Sequence, residues 1–328
     1  MSLQAPRSVV MVRPHHFSVN TETAADNVFQ STSSGSADDI AGSAFDETTA
    51  LADALIAHGV RVHVFDDETT DRPDSVFPNN WFSTHTGGRV AVYPMRSLSR
   101  RAERRTDVLD MLKEQYRVQD LIDYSGLEHD GLFLEGTGAM VLDHLHRIAY
   151  VARSNRADAI ALERFCTHFG FEPMAFDAFD AHGVPIYHTN VLMCLGTSIA
   201  LICLDAIHDE ARRDEIRMRL VQSERTIIDL SQRQLREFAG NAFELTGGNG
   251  RLLVMSARAH RSLTSQQVAI IETGAEIVAV DIPTIELAGG SVRCMLAGVH
   301  LDPRPLPAQT GPALATPAPP VHLGSDHG

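Results

Sequence analysis

Six polar residues keep step along this chain. Asn27, Asn80, Glu135, His188, Asn241 and Cys294 stand 53, 55, 53, 53 and 53 residues apart. Each of the last five lies beside a glycine, proline or threonine turn, just ahead of a run that suits a strand. A fixed period of about 50 residues marks a chain built from repeated supersecondary units. Such units can form a Rossmann-like sheet, a barrel or a propeller. A ring brings equivalent positions of every unit to one axis, whereas a doubly wound sheet spreads them along an edge.

The content of each unit follows from periodicity and turn signals. "SVVMVRP" (8–14) predicts a first strand, and "QSTSSGSADD" (30–39) a mobile loop. Residues 45–65 predict an amphipathic helix, a glycine stop at Gly59 and a strand. Helix followed by strand is predicted again over 107–124, 157–176, 213–231 and 262–282. Further strands are predicted at 88–94, 146–152, 198–205 and 250–256. No GxGxxG follows a strand and opens a helix, so dinucleotide binding has no support. The expected architecture is a five-bladed α/β ring over residues 1–301, with the opening strand completing the circle. Residues 302–328 hold seven of the 15 prolines and are expected to form a disordered tail.

Composition narrows the function. Hydrophobic residues make up 44% of the 328, enough for a substantial core, and the net charge is −14. An acidic chain is a poor binder of nucleic acid, because phosphate attraction supplies most of that affinity. The one arginine cluster, "RSLSRRAERR" (96–105), also reads as a solvated helix face. No apolar run approaches the roughly 20 residues that span a bilayer, and no signal peptide is recognisable. The four cysteines form no CxxC pair and are too sparse for a disulfide scaffold. A reduced, cytoplasmic protein is expected, with no nucleic-acid or membrane partner and an unspecified oligomeric state.

Cysteines in protein interiors are usually inert hydrophobes. Cys166 on a helix, and Cys194 and Cys203 in apolar strands, fit that description. Cys294 differs: two glycines precede it, Arg293 adjoins it, and it occupies a repeat position. A neighbouring cation favours the thiolate form of a cysteine. Cys294 is therefore either a filler or a nucleophile. His188 shares the repeat position, and a Cys–His pair is a familiar arrangement for covalent catalysis. Glu135, after an apolar strand, puts a carboxylate where an unpaired charge is costly. "DAFDAHG" (177–183) and "DHLHR" (143–147) contain potential ligands but no closed metal-binding spacing, and both read as exposed turns.

Four of these stretches, in order, carry a resemblance. "FPNNWFSTH" (77–85), "LEGTG" (134–138), "HTN" (188–190) and "GGSVRCM" (289–295) resemble the motifs of the pentein, or guanidino-group-modifying, superfamily. "MVRPHHF", "NTETAADNVFQ", "YPM" and "RRAERR" are most similar to its citrulline-utilisation hydrolase branch. The resemblance covers roughly residues 8–301. It implies a five-fold ββαβ propeller, no cofactor, no metal and a small amino-acid substrate. It further implies Cys294 as nucleophile, His188 as general acid/base and Glu135 as the carboxylate that binds the substrate nitrogens and helps orient the histidine. Arg100 and Arg156 resemble the arginines that hold the substrate carboxylate; their alternatives are a surface ion pair and helix-terminal decoration.

Arginine deiminases of this superfamily place aspartates where this chain has Asn80 and Asn190. Amides carry no net charge and offer both donors and acceptors. Unless both are plain turn residues, their exchange favours a neutral ureido group over a guanidinium. The expected activity is hydrolysis of citrulline to ornithine, ammonia and carbon dioxide through an S-carbamoyl intermediate. The alternatives are an arginine or methylarginine deiminase-like hydrolase and an amidinotransferase.

Overall fold

A computed structural model describes residues 3–24, 27–31 and 35–305. Its strands are β1 (Ser8–Pro14), β2 (Arg61–Asp67), β3 (Phe82–His85), β4 (Arg89–Val92), β5 (Asp120–Asp123), β6 (Val141–Asp143), β7 (Ile148–Ala152) and β8 (Glu172–Phe176). The second half adds β9 (Met193–Leu195), β10 (Ile199–Ile202), β11 (Thr226–Asp229), β12 (Phe243–Thr246), β13 (Arg251–Ser256), β14 (Glu276–Val280) and β15 (Ala297–Gly298). They form five three-stranded sheets, ordered β15-β1-β2, β3-β4-β5, β6-β7-β8, β9-β10-β11 and β12-β13-β14. In each, an inner strand runs antiparallel to the middle strand, which runs parallel to the outer one. The parallel pair requires a crossover, and a helix supplies it.

Closure comes from the two ends of the fold. Val9 of β1 pairs with Gly298 of β15, so the opening strand completes the last sheet, as the repeat predicted. Inner strands touch their neighbours from sheet to sheet, β15 with β3, β6 with β9, and β9 with β12. Burial falls outward: β7 and β10 are buried throughout, while β5 and β11 are largely exposed. This gradient explains why the middle strands are plain apolar runs and why the outer ones were legible only through their preceding helices.

The crossover helices are Ala37–Ala57, Thr106–Gln115, Ala159–Phe169, Glu210–Gln222 and Ser265–Glu272. Local signals fix several ends. Asp158 caps the third helix by accepting from the Ile160 and Ala161 amides at 2.8 and 3.2 Å. Thr264 and Gln267 form a reciprocal capping box on the fifth. The first helix starts earlier than expected. Ser36 Oγ accepts from the Asp39 amide at 3.2 Å, so residues 37–39 of the expected loop are helical, and 32–34 lie outside the described residues. The expected tail also begins too early. Arg117 N donates to Asp302 O and Arg304 N to Gln115 O, both at 2.8 Å, which ties 302–304 to the end of the second helix. Residues 306–328 of that tail lie outside the described residues.

Candidate active site

The repeat positions meet at one end of the ring because each precedes an inner strand. Asn80 ends the single turn Pro78–Asn80, ahead of β3. Glu135 and His188 cap the one-turn helices Gly136–Ala139 and Thr189–Leu192, ahead of β6 and β9. Asn241 leads into β12, and Cys294 sits in Val292–Met295, ahead of β15. All five are buried. Asn80, His188 and Cys294 line a shared cleft with Arg100, Arg156, Asp74, Asn27 and Tyr187.

Two glycine positions show how tightly this end is built. Gly289 has φ +78°, and a Cβ there would come 2.4 Å from Asn27 Oδ1. A Cβ on Gly138 would stand 2.1 Å from the Asn80 amide head and 2.8 Å from His188 Nδ1. Gly138 thus makes the room in which those two side chains sit together.

Cys294 Sγ accepts from two amides, Asn190 Nδ2 at 3.2 Å and Asn241 Nδ2 at 3.3 Å. Asn241 is itself held, with Nδ2 also donating to Asn190 O at 3.0 Å and Oδ1 accepting from the Arg293 amide at 3.0 Å. Asn190 Oδ1 is buried without a protein partner. The sulfur is therefore an acceptor in a fixed cradle, the arrangement that serves a thiolate nucleophile. The other three cysteines differ. Burial pushes the Cys166, Cys194 and Cys203 thiols up to about 12, as inert fillers require.

His188 Nε2 lies 2.9 Å from Glu135 Oε2. Burial opposes ionisation of Glu135. Arg156, the His188 hydrogen bond and Arg100 outweigh it and hold the carboxyl well below its usual range. An ionised Glu135 can only accept, so Nε2 carries the proton. Burial drives His188 down, Glu135 pulls it back, and the imidazole ends at about 4. At neutral pH the ring is uncharged, with Nδ1 as its basic nitrogen.

Arg156 Nη1 stands 3.5 Å from Glu135 Oε2, and its guanidinium lies 4.9 Å from the Tyr187 ring centre. Arg100 is buried rather than on the solvated face expected of 96–105. Its Nε and Nη2 grip Glu103 at 2.9 and 3.0 Å, and Nη1 lies 3.6 Å from Glu135. The remaining donors fix the Asn80 amide: its oxygen accepts from Arg100 Nη1 and Nη2 at 2.9 and 3.0 Å, and its nitrogen donates to Asn79 Oδ1 at 3.1 Å. Arg100 thus enters the cleft with most of its fork engaged, as a positioning group for Asn80 more than as an open clamp.

All seven expected site residues are brought to this end of the ring. Sequence reasoning missed Asp74 and Glu103. Asp74 Oδ2 accepts from Asn20 Nδ2 at 2.9 Å, while Oδ1 is buried in the cleft without a protein partner. Both acids lie in polar runs with no signal of burial. Asn241 stood at a repeat position, and that period was the signal for it. "DHLHR" is a turn as expected, with Leu145 and His146 exposed, but Asp143 at its start is fully buried and takes both Arg225 Nη atoms, at 2.6 and 3.1 Å. Among the described residues no group of three or more His, Cys, Asp or Glu is placed to hold a metal ion.

A family model described as eukaryotic N,N dimethylarginine dimethylhydrolase matches residues 13–301. The chain belongs to this pentein family. No curated protein matches it. Solved structures similar to this family member include ArgZ, an arginine dihydrolase from the ornithine-ammonia cycle in cyanobacteria, with 18% identity and a TM-score of 0.67 over 88% of this chain and 40% of that one. AgrE is similar at 18% identity and a TM-score of 0.70, over 91% of this chain and 40% of that one. A dimethylarginine dimethylaminohydrolase is similar at 14% identity and a TM-score of 0.60, over 90% and 99%. The chain spans about 40% of the ArgZ and AgrE chains. At these identities the likeness is one of fold. No helix is long and apolar enough to cross a membrane among the described residues.

Proposed function

We propose that this chain is a cysteine hydrolase of an amino acid's terminal C–N group, with citrulline as substrate. Cys294 passes its thiol proton to His188 Nδ1 and attacks the ureido carbon, forming an S–C bond. The C–Nδ bond breaks as the leaving nitrogen takes a proton delivered through His188, releasing ornithine. His188 Nδ1 then removes a proton from water, whose oxygen displaces the sulfur, and the carbamate so formed decomposes to ammonia and carbon dioxide. Glu135 holds the imidazole in the tautomer this needs.

The observation that carries the choice of substrate is the amide surround of Cys294. Asn190 and Asn241 meet the sulfur directly. Asn80, its oxygen turned to Arg100, leaves N–H as the group it offers to a substrate carbonyl. Glu135 is already engaged by two arginines and His188. The groups that meet the sulfur are amides and not carboxylates, so a guanidinium brought to it gains no charge pairing from them, and burying an unpaired cation is costly. A ureido group carries no charge, so its desolvation is far cheaper. The same cleft suits a zwitterion: Arg156, beside Arg100, attracts the α-carboxylate, and Asp74 Oδ1 accepts from the α-ammonium.

The family match favours a second reading, a methylarginine hydrolase. Mass spectrometry of products from citrulline, arginine and dimethylarginine, with Cys294→Ser as control, separates the two. Ornithine from citrulline alone is expected. Asn80→Asp combined with Asn190→Asp should shift preference toward the guanidines; improved citrulline turnover in that double variant would count against the proposal.

A further inference from the structure

The inner strands enclose a second space, on the ring axis, that this chemistry does not use. All five contribute to its wall, through Thr84, Leu142, Cys194, Phe243 and Gly298. Arg293, His144 and His300 face it as well. Arg293 and Cys294 are consecutive on Val292–Met295, and a helix turns about 100° per residue. One side chain consequently enters the axial space while the other enters the cleft.

Among the described residues Arg293 has no carboxylate counter-ion. Its Nη1 donates to Leu296 O at 2.8 Å, and its guanidinium lies 4.1 Å from the Phe243 ring centre. Beside it His144 is buried, and its Nδ1 has no protein partner. The His144 ring stacks on His300 at 3.9 Å. Gln4 lines the space too, donating from Nε2 to Leu142 O and Leu195 O at 3.0 Å each and accepting from the His144 amide at 2.9 Å. About 30 Å³ of free space remains, room for one or two water-sized groups.

We propose that this axial well binds a small monovalent anion of chloride size, held by the Arg293 guanidinium and the His144 Nδ1–H. The charge count sets the valence. Burial lowers both His144 and His300, to about 4 for the latter, so Arg293 is the charge the anion meets. Burial also lowers Arg293, to about 10, the direction expected of a cation without a carboxylate partner. An imidazole that donates while neutral adds a hydrogen bond without demanding a second negative charge.

Bromide soaked into crystals should give an anomalous peak beside Arg293. In solution, the chloride-35 NMR line should broaden saturably with protein and narrow again on adding bromide, whereas gluconate, too large for the space, should leave it unchanged. Arg293→Gln should abolish the excess broadening. Should that variant not fold, Arg293→Lys keeps the charge without the fork and should bind about tenfold more weakly. Absence of bromide beside Arg293, or undiminished broadening in either variant, would overturn the proposal.

Discussion

The protonation state of one imidazole sets the expected pH behaviour. His188 ends at about 4 because burial lowers it more than Glu135 raises it. The ordinary value is 6.5, so between about 4 and 6.5 the unfolded chain binds the proton and the folded chain does not. Stability from this group is complete above pH 6.5 and is lost as pH falls toward 4. Denaturant midpoints measured from pH 7 to 4.5 should drop more steeply for the wild type than for His188→Gln. For the same reason the acid limb of kcat/KM should lie near pH 4 rather than 6.5; a limb at the ordinary histidine value would show that burial does not outweigh the pull of Glu135 on the ring.

Single turns, more than long helices, position the chemistry. Gly136–Ala139 carries Glu135 at its cap and Gly138 at its third residue, and the absent side chain of Gly138 lets Asn80 and His188 approach. Gly138→Ala should leave the fold intact, since its backbone is not left-handed, yet reduce kcat/KM by about 100-fold through displacement of both side chains. Gly126→Ala, where nothing lies within 4 Å, is the matched control and should keep full activity. Steady-state kinetics beside circular dichroism of both variants checks this. The turn glycines were visible as punctuation in the sequence; that they make room for partners 50 residues away was not.

Across the whole molecule, stability depends on joints between sheets. Asp143 at the end of β6 and Arg225 just before β11 form a buried pair that links the third and fourth sheets. Removing one partner leaves a buried charge, so Arg225→Met should cost about 3–5 kcal/mol. Adding Asp143→Asn should recover much of that loss, because the amide oxygen still accepts from the Leu145 and His146 amides. Chemical denaturation of the two single variants and the double variant measures the coupling. Asp143 and Arg225 are 82 residues apart, and neither lies in a run that signals burial.

The repeat period pointed to five units in a ring closed by the opening strand, and once the ring is closed, equal spacing brings Asn80, Glu135, His188, Asn241 and Cys294 to one end of it. Asn80 and Asn190, as amides, were also legible as residue types. Only the tertiary structure decided which way the Asn80 amide faces, that Arg100 is buried against Glu103, that Asp74 presents an oxygen to the cleft, and that Arg293 turns its back on Cys294. Those outcomes depend on contacts between units, whose energies are set by distance and burial that no local pattern encodes.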